Sequence, residues 1–121
     1  MTDQRRNTGA RGELLALEHY ERLGFVLVDR NVRTRYGELD LIVSNHELLV
    51  ISEVKTRLEG RGSPLESFTP NKIRQVRRMA ANWLASARPG RNALRLRLDA
   101  VAVVIDAGGD LVSLECLEGA L

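Results

Sequence analysis

The chain has 121 residues, 44% of them apolar and 28% charged, with a formal net charge of +2, the profile of one soluble domain long enough to bury a core of its own. No apolar run reaches the length of a membrane-spanning helix, and the polar start Met1 to Gly9 has no apolar segment behind it, so neither a transmembrane span nor a secretory signal is expected and the expected compartment is the cytoplasm. One cysteine, Cys116, with only His19 and His46 beside it, excludes an internal disulfide and a four-ligand structural zinc site.

In chain order, Gly9 to Leu23 reads as a helix, with Ala10, Leu14, Leu17 and Leu23 on one stripe and Ala16 and Tyr20 beside them. Gly24 stands where a left-handed cap would stop it. Phe25 to Asp29 is a short apolar run suited to a strand. Leu39 to Val43 and Leu48 to Lys55 are two more, and Ser44-Asn45-His46-Glu47 between them fits a tight hairpin. Arg57 to Phe68 contains Gly60, Gly62, Ser63 and Pro64 and reads as a loop. Thr69-Pro70 is a helix start, threonine as N-cap and proline at the first helical position. That helix is expected to run to about Ala87 and to end at Pro89-Gly90. It would bury Ile73, Val76, Ala80, Trp83 and Ala87 and leave Lys72, Arg74, Arg77 and Arg78 mainly on the other side. Leu94 to Ile105 and Leu111 to Leu117 read as strands joined by the turn Ala107-Gly108-Gly109-Asp110. The order α-β-β-β-α-β-β implies one α/β or α+β domain over residues 1–121, a mixed sheet flanked by helices.

The charge is unevenly placed. Sixteen of the eighteen basic residues are arginine, and Val54 to Arg97 holds eleven bases against Glu59 and Glu66, whereas Asp106 to Leu121 holds four acids and no base. Arginine forks phosphate oxygens in a bidentate way, so a basic half suits a polyanion partner; it also serves as a solvated surface.

The hairpin carries the chemistry. Centred on Asn45-His46, its ladder would set Asp40 opposite Ile51 and Glu38 opposite Glu53, with Asp40, Glu38, Glu53 and Lys55 on one face. A slip of two residues keeps that grouping and a slip of one destroys it. Two carboxylates about 4 Å apart repel by roughly 4 kcal/mol at an effective dielectric of 20. A cation must offset this, and magnesium, which takes one or two carboxylates together with waters and substrate phosphates, does so better than Lys55. The competing reading is a plain Glu-Lys ladder on an edge strand. Leu48 to Ile51, leading straight into Glu53, implies a central strand instead. Glu13 rides on the inward edge of the first helix, where a glutamate also serves the helix dipole without further purpose.

Asp40 followed thirteen positions later by Glu53-Val54-Lys55 resembles the (P)D…(D/E)xK pattern of restriction-endonuclease-like nucleases. The wider set is Gly9-x-x-Gly12-Glu13, Arg30-Asn31, Gly37-Glu38-Leu39-Asp40-Leu41-Ile42, Glu53-Val54-Lys55-Thr56-Arg57, Gly62-x-Pro64-x-Glu66, the basic helix start at Lys72 and Arg74, and Leu98-Asp99-Ala100-Val101. Together these resemble the YraN-type family of small bacterial proteins, similar to archaeal Holliday junction resolvases, over nearly the whole chain. The resemblance implies an αβββαβ core and a metal-dependent DNA nuclease. Asp40, Glu53 and Glu13 would bind Mg2+, or Mn2+ in its place, with the Val54 carbonyl as a further ligand. Lys55 would assist the attacking water, and Glu38 would stand behind the ligands. Lys72, Arg74 and Gln75 would face the scissile phosphate, and Arg57, Arg77 and Arg78 the DNA backbone. Leu39 stands where many such nucleases have proline, and Ser52 where an aliphatic residue is expected.

Resolvase-like relatives act as dimers, so a homodimer is expected by analogy; no small-molecule cofactor or membrane partner is. Two other functions stay open: a nucleic-acid-binding module that keeps the fold but does not cut, and a protein-interaction subunit docking through its acidic tail.

Overall fold

A computed structural model describes residues 2–86 and 94–121, with side chains from Asn7 onward. The order is α1 (Thr2–Arg22), β1 (Val26–Thr34), β2 (Gly37–Ser44), β3 (Leu48–Leu58), a 3-10 turn (Pro64–Ser67), α2 (Pro70–Ser86), β4 (Arg95–Ile105) and β5 (Leu111–Leu117). This is the α+β order read from the sequence. Ala87, Arg88, Pro89-Gly90 and Arg91 lie outside the described residues.

The five strands form one sheet in the order β1-β2-β3-β4-β5, parallel between β3 and β4 and antiparallel elsewhere. Each helix covers one face. Leu15, Ala16, Leu17 and Tyr20 of α1 pack on Leu41, Val43, Val50, Val54, Val101 and Val103. Val76, Met79 and Ala80 of α2 pack on Leu39, Ile42, Leu49, Ile51 and Ala100. The central strand β3 therefore sends Val50 and Val54 to α1 and Leu49 and Ile51 to α2, and it is apolar on both faces because both are covered.

Capping follows the local chemistry. Thr69 Oγ1 accepts from the Lys72 N–H at 3.2 Å at the start of α2, and Gly24 takes φ +93° after α1. In the hairpin, Asn45 Oδ1 accepts from the N–H groups of Glu47 and Leu48, both at 2.8 Å.

Three elements are longer than the sequence pattern marked. α1 begins at Thr2, seven residues before Gly9. β3 continues through Thr56, Arg57 and Leu58, paired with β4 to the end. β1 runs on through Arg30-Asn31-Val32-Arg33-Thr34, paired with β2. An edge strand half in solvent needs no apolar alternation, and charged residues there guard against edge-to-edge association.

Ser52, unexpected in a core strand, is 1% exposed and sits beside Asp99, its partner across the β3–β4 ladder. The Tyr20 hydroxyl lies 3.0 Å from Ser52 Oγ and 2.8 Å from Asp99 Oδ2. Arg97 forks Asp99 from Nε and Nη2 at 2.9 and 3.0 Å, and the Gly119 N–H adds a bond of 2.9 Å. The network joins α1, β3, β4 and the C-terminal residues, and burial beside Asp99 pushes the Tyr20 hydroxyl far above its ordinary pKa.

α1 passes close to β3 at Gly12, where a Cβ would overlap Thr56 Oγ1 and come within 2.8 Å of Thr56 Cβ. Gly12→Ala is expected to destabilise the fold by about 1–3 kcal/mol in denaturant titrations through overpacking, and Thr56→Ala in the same chain to return part of the loss.

Candidate metal centre

The β2–β3 ladder pairs Leu41 with Ser52, Ile42 with Ile51, Val43 with Val50 and Ser44 with Leu49. That is two residues away from the register that set Asp40 opposite Ile51; it keeps Asp40 and Lys55 with Glu53, whereas Glu38, expected opposite Glu53, lies instead with Glu13 and Asn31 because the alternation of β2 breaks. Pairing ends at Leu41 and Ser52, and beyond it the Val54 N–H donates to Asp40 Oδ2 at 2.8 Å. A side-chain carboxylate thus takes over a ladder bond, and the two strands part around it. Leu39 joins the core under α2 while Leu41 joins the core under α1, so the alternation of β2 also breaks at Asp40.

Glu53 is 2% exposed and follows Leu49 and Ile51 on the face under α2. Its carboxylate receives two ammonium groups on one oxygen: Lys72 Nζ stands 2.7 Å and Lys55 Nζ 3.7 Å from Oε2. The other oxygen, Oε1, is buried and meets no hydrogen-bond donor among the described residues. Asp40 lies within hydrogen-bonding reach of Glu53; burial, then the Glu53 carboxylate, push its pKa up to about 8, against the pull of the Val54 N–H. Without a metal, Asp40 therefore holds its proton well above the ordinary carboxylate range. A half-satisfied, repelling carboxylate pair in a buried fork is a donor set that suits a hard divalent cation.

Glu13 stands on the neighbouring turn of α1. With its amide nitrogen facing the two carboxylates, Asn31 donates to Glu13 Oε1 at 3.0 Å and to Glu38 Oε1 at 3.3 Å. Burial first and Glu38 second raise the Glu13 pKa, with a smaller push from Glu53. A cavity of about 190 Å³ lies between Glu13 and Asp40, bordered also by Arg30, Asn31 and Leu41. Among the described residues no three His, Cys, Asp or Glu side chains are gathered closely enough to hold an ion as they stand. Asp40 and Glu53 form the pair, and Glu13 faces it across the cavity.

A larger open groove of about 770 Å³ runs from Glu13 and Asp40 past Lys55, Thr56 and Arg57 to Arg61. The basic residues read as nucleic-acid contacts divide into two sets. Arg57 donates to Ser67 Oγ at 2.5 Å and to the Thr56 carbonyl at 3.2 Å, fastening the 3-10 turn to β3. Lys72 is held by Glu53, Arg74 by Asn71 Oδ1, and the Gln75 amide donates to the Tyr36 carbonyl at 2.8 Å. Arg77 and Arg78 are exposed on α2. Sequence reasoning placed Lys72 against a phosphate and did not see it seated on Glu53, because the approach of α2 to the end of β3 is a tertiary fact. It gave Asn31 no role; the signal was an asparagine in an otherwise basic and apolar stretch.

The sign of the pH effect follows from Asp40. A carboxyl group whose folded pKa is raised gives stability that is present below about pH 4 and lost as the pH climbs towards 8. The metal-free protein should lose on the order of 2–5 kcal/mol over that window. Asp40→Asn, which keeps an acceptor for the Val54 N–H, should flatten the loss in thermal melts taken across the range.

Residues 12–103 match the profile of Uncharacterised protein family UPF0102. A UPF0102 protein of Rhodococcus jostii is 46% identical over 101 residues, covering 83% of this chain and 84% of the relative. One from Kineococcus radiotolerans is 42% identical over 102 residues, covering 84% and 83%, and one from Mycolicibacterium vanbaalenii 44% identical over 105 residues, covering 86% and 85%. The motif set that resembled the YraN-type family lies largely within the matched span, and the chain belongs to the UPF0102 (YraN) family.

Proposed function

We propose that this protein is a metal-dependent nuclease that hydrolyses DNA phosphodiesters, with branched or damaged DNA as a candidate substrate and the bacterial cytoplasm as its place of work. The observation that carries the reading is the buried Asp40–Glu53 pair at the strand fork, with Glu53 Oε1 unsatisfied among the described residues. Asp40 and Glu53 would hold magnesium, or manganese in its place, with Glu13 across the cavity as a further ligand.

A bound magnesium ion supplies a Lewis acid for the phosphate and a water of lowered pKa. The chain's own groups do the rest. Lys55, partly exposed beside the groove and paired with Glu53, would orient the attacking water or face a phosphate oxygen through its ammonium group. Lys72 puts a second ammonium beside the same carboxylate. Arg57 and Arg61 border the groove, and Arg77 and Arg78 project from α2. Contacts of this kind bind the backbone without reading sequence, with affinity that falls steeply as salt rises. No described helix is long and apolar enough to cross a membrane.

A second reading, a nucleic-acid-binding module that keeps the fold without cutting, draws on the seat of Lys72 at Glu53 and on the separation of Glu13 from the acidic pair. Plasmid and four-way-junction DNA incubated with the purified protein and Mg2+ or Mn2+ separate the two. The nuclease reading expects metal-dependent cleavage that drops at least about a hundredfold in Asp40→Asn and in Lys55→Ala. Cleavage unchanged in both variants would overturn it, and salt-sensitive binding with no cleavage would favour the second reading.

A further inference from the structure

Resting on the metal-site reading above, we propose that Asn31 is a positioning residue that orients Glu13 towards the metal cavity by bridging it to Glu38. Its place in the fold is unusual. Asn31 lies on the edge strand β1, between Arg30, which pairs with Leu41, and Val32, which pairs with Leu39, so it stands opposite Asp40. It is the one described residue other than glycine with a positive φ, 51°. Left-handed backbone turns the side chain out of the regular alternation and towards α1, where its amide meets Glu13 Oε1 at 3.0 Å and Glu38 Oε1 at 3.3 Å.

Few side chains can do this. Asparagine, aspartate and histidine adopt left-handed backbone more readily than other residues with a Cβ. Aspartate would add a third negative charge, and glycine would supply no donor. Lysine or arginine would pair with Glu13 outright and compete with any incoming cation. The asparagine NH2 has two N–H donors and no charge. It can therefore hold one oxygen of Glu13 and one of Glu38 at the same time and fix how both side chains point. One oxygen of Glu13 is held, and the other is left for the cavity of about 190 Å³ that Glu13, Asn31 and Asp40 border together. That cavity has room for an ion with waters.

Titration of the metal-free protein with Mn2+ by calorimetry tests this, with thermal melts of the metal-free variants as the control for folding. Asn31→Gly keeps the backbone and removes the donors; Asn31→Asp keeps shape and backbone and removes the donors too. Both are expected to weaken Mn2+ binding at least about tenfold, the scale of groups that orient ligands, with metal-free melting close to wild type in Asn31→Gly and lowered in Asn31→Asp by the added negative charge. Glu38→Gln weakens the Glu38 end of the bridge, so the loss caused by Asn31→Gly should shrink in that background. Wild-type affinity in both Asn31 variants, or a loss of the same size with and without the Glu38 charge, would overturn the assignment while leaving the metal site standing. Collapse of metal-free stability in both variants would make Asn31 structural and overturn it likewise. A wild-type protein that does not bind Mn2+ would remove the metal site itself and this inference with it.

Discussion

Where β2 and β3 stop pairing, the Val54 N–H goes to the Asp40 carboxylate, and this substitution organises everything around it. Had the ladder continued, a carbonyl would have taken the bond, the strands would have stayed in register, and Asp40 and Glu53 would have stood side by side on a covered sheet with no opening. The fork gives the pair an exit to the groove. It also leaves two carboxyl groups in a medium too poorly solvated to ionise both, which is why Asp40 holds its proton well above the ordinary carboxylate range.

The protein shows what a stability-driven buried carboxylate looks like, one strand away. Asp99, fully buried, receives a forked arginine, a tyrosine hydroxyl and a main-chain N–H. Every oxygen is answered, as buried charges require if they are not to weaken the fold. Glu53, on the adjacent strand and the opposite face, has both lysines on one oxygen and no donor on the other among the described residues. The two sites belong to one sheet and one chain, so the difference is not a matter of fold quality. Glu53 keeps one buried oxygen open. Lys72 is its nearest counter-ion, reaching from the first turn of α2 to the end of β3.

The sequence made element order, the mixed sheet and the acidic hairpin legible because each rests on local signals: apolar periodicity, Thr69-Pro70 as a helix start, Gly24 as a stop, and alternation that puts Glu53 and Lys55 on one face. The hairpin register came out two residues away, since Asn45 closes the turn with its own side chain and only tertiary packing fixes which pairs form. The polar half of β1 was invisible for the opposite reason: an edge strand next to solvent needs no apolar alternation to form, so Arg30 to Thr34 carry no pattern. Ser52 looked misplaced because its partners Tyr20 and Asp99 are thirty-two and forty-seven positions away. Asn31, Gly12 and Lys72 share that difficulty. Each acts where a helix meets the sheet, and the neighbouring letters hold a trace of it only for Asn31, an asparagine in a basic and apolar stretch.

The central claim is that the fork is built around a cation held by Asp40 and Glu53. A crystal soaked in manganese and measured near the manganese absorption edge addresses it directly. The account expects an anomalous peak between the two carboxylates, on the side of Glu53 Oε1 and facing the Glu13 cavity, with Lys72 displaced from its 2.7 Å contact. A fork that shows no anomalous peak at saturating manganese, with Lys72 still seated on Glu53, would contradict it.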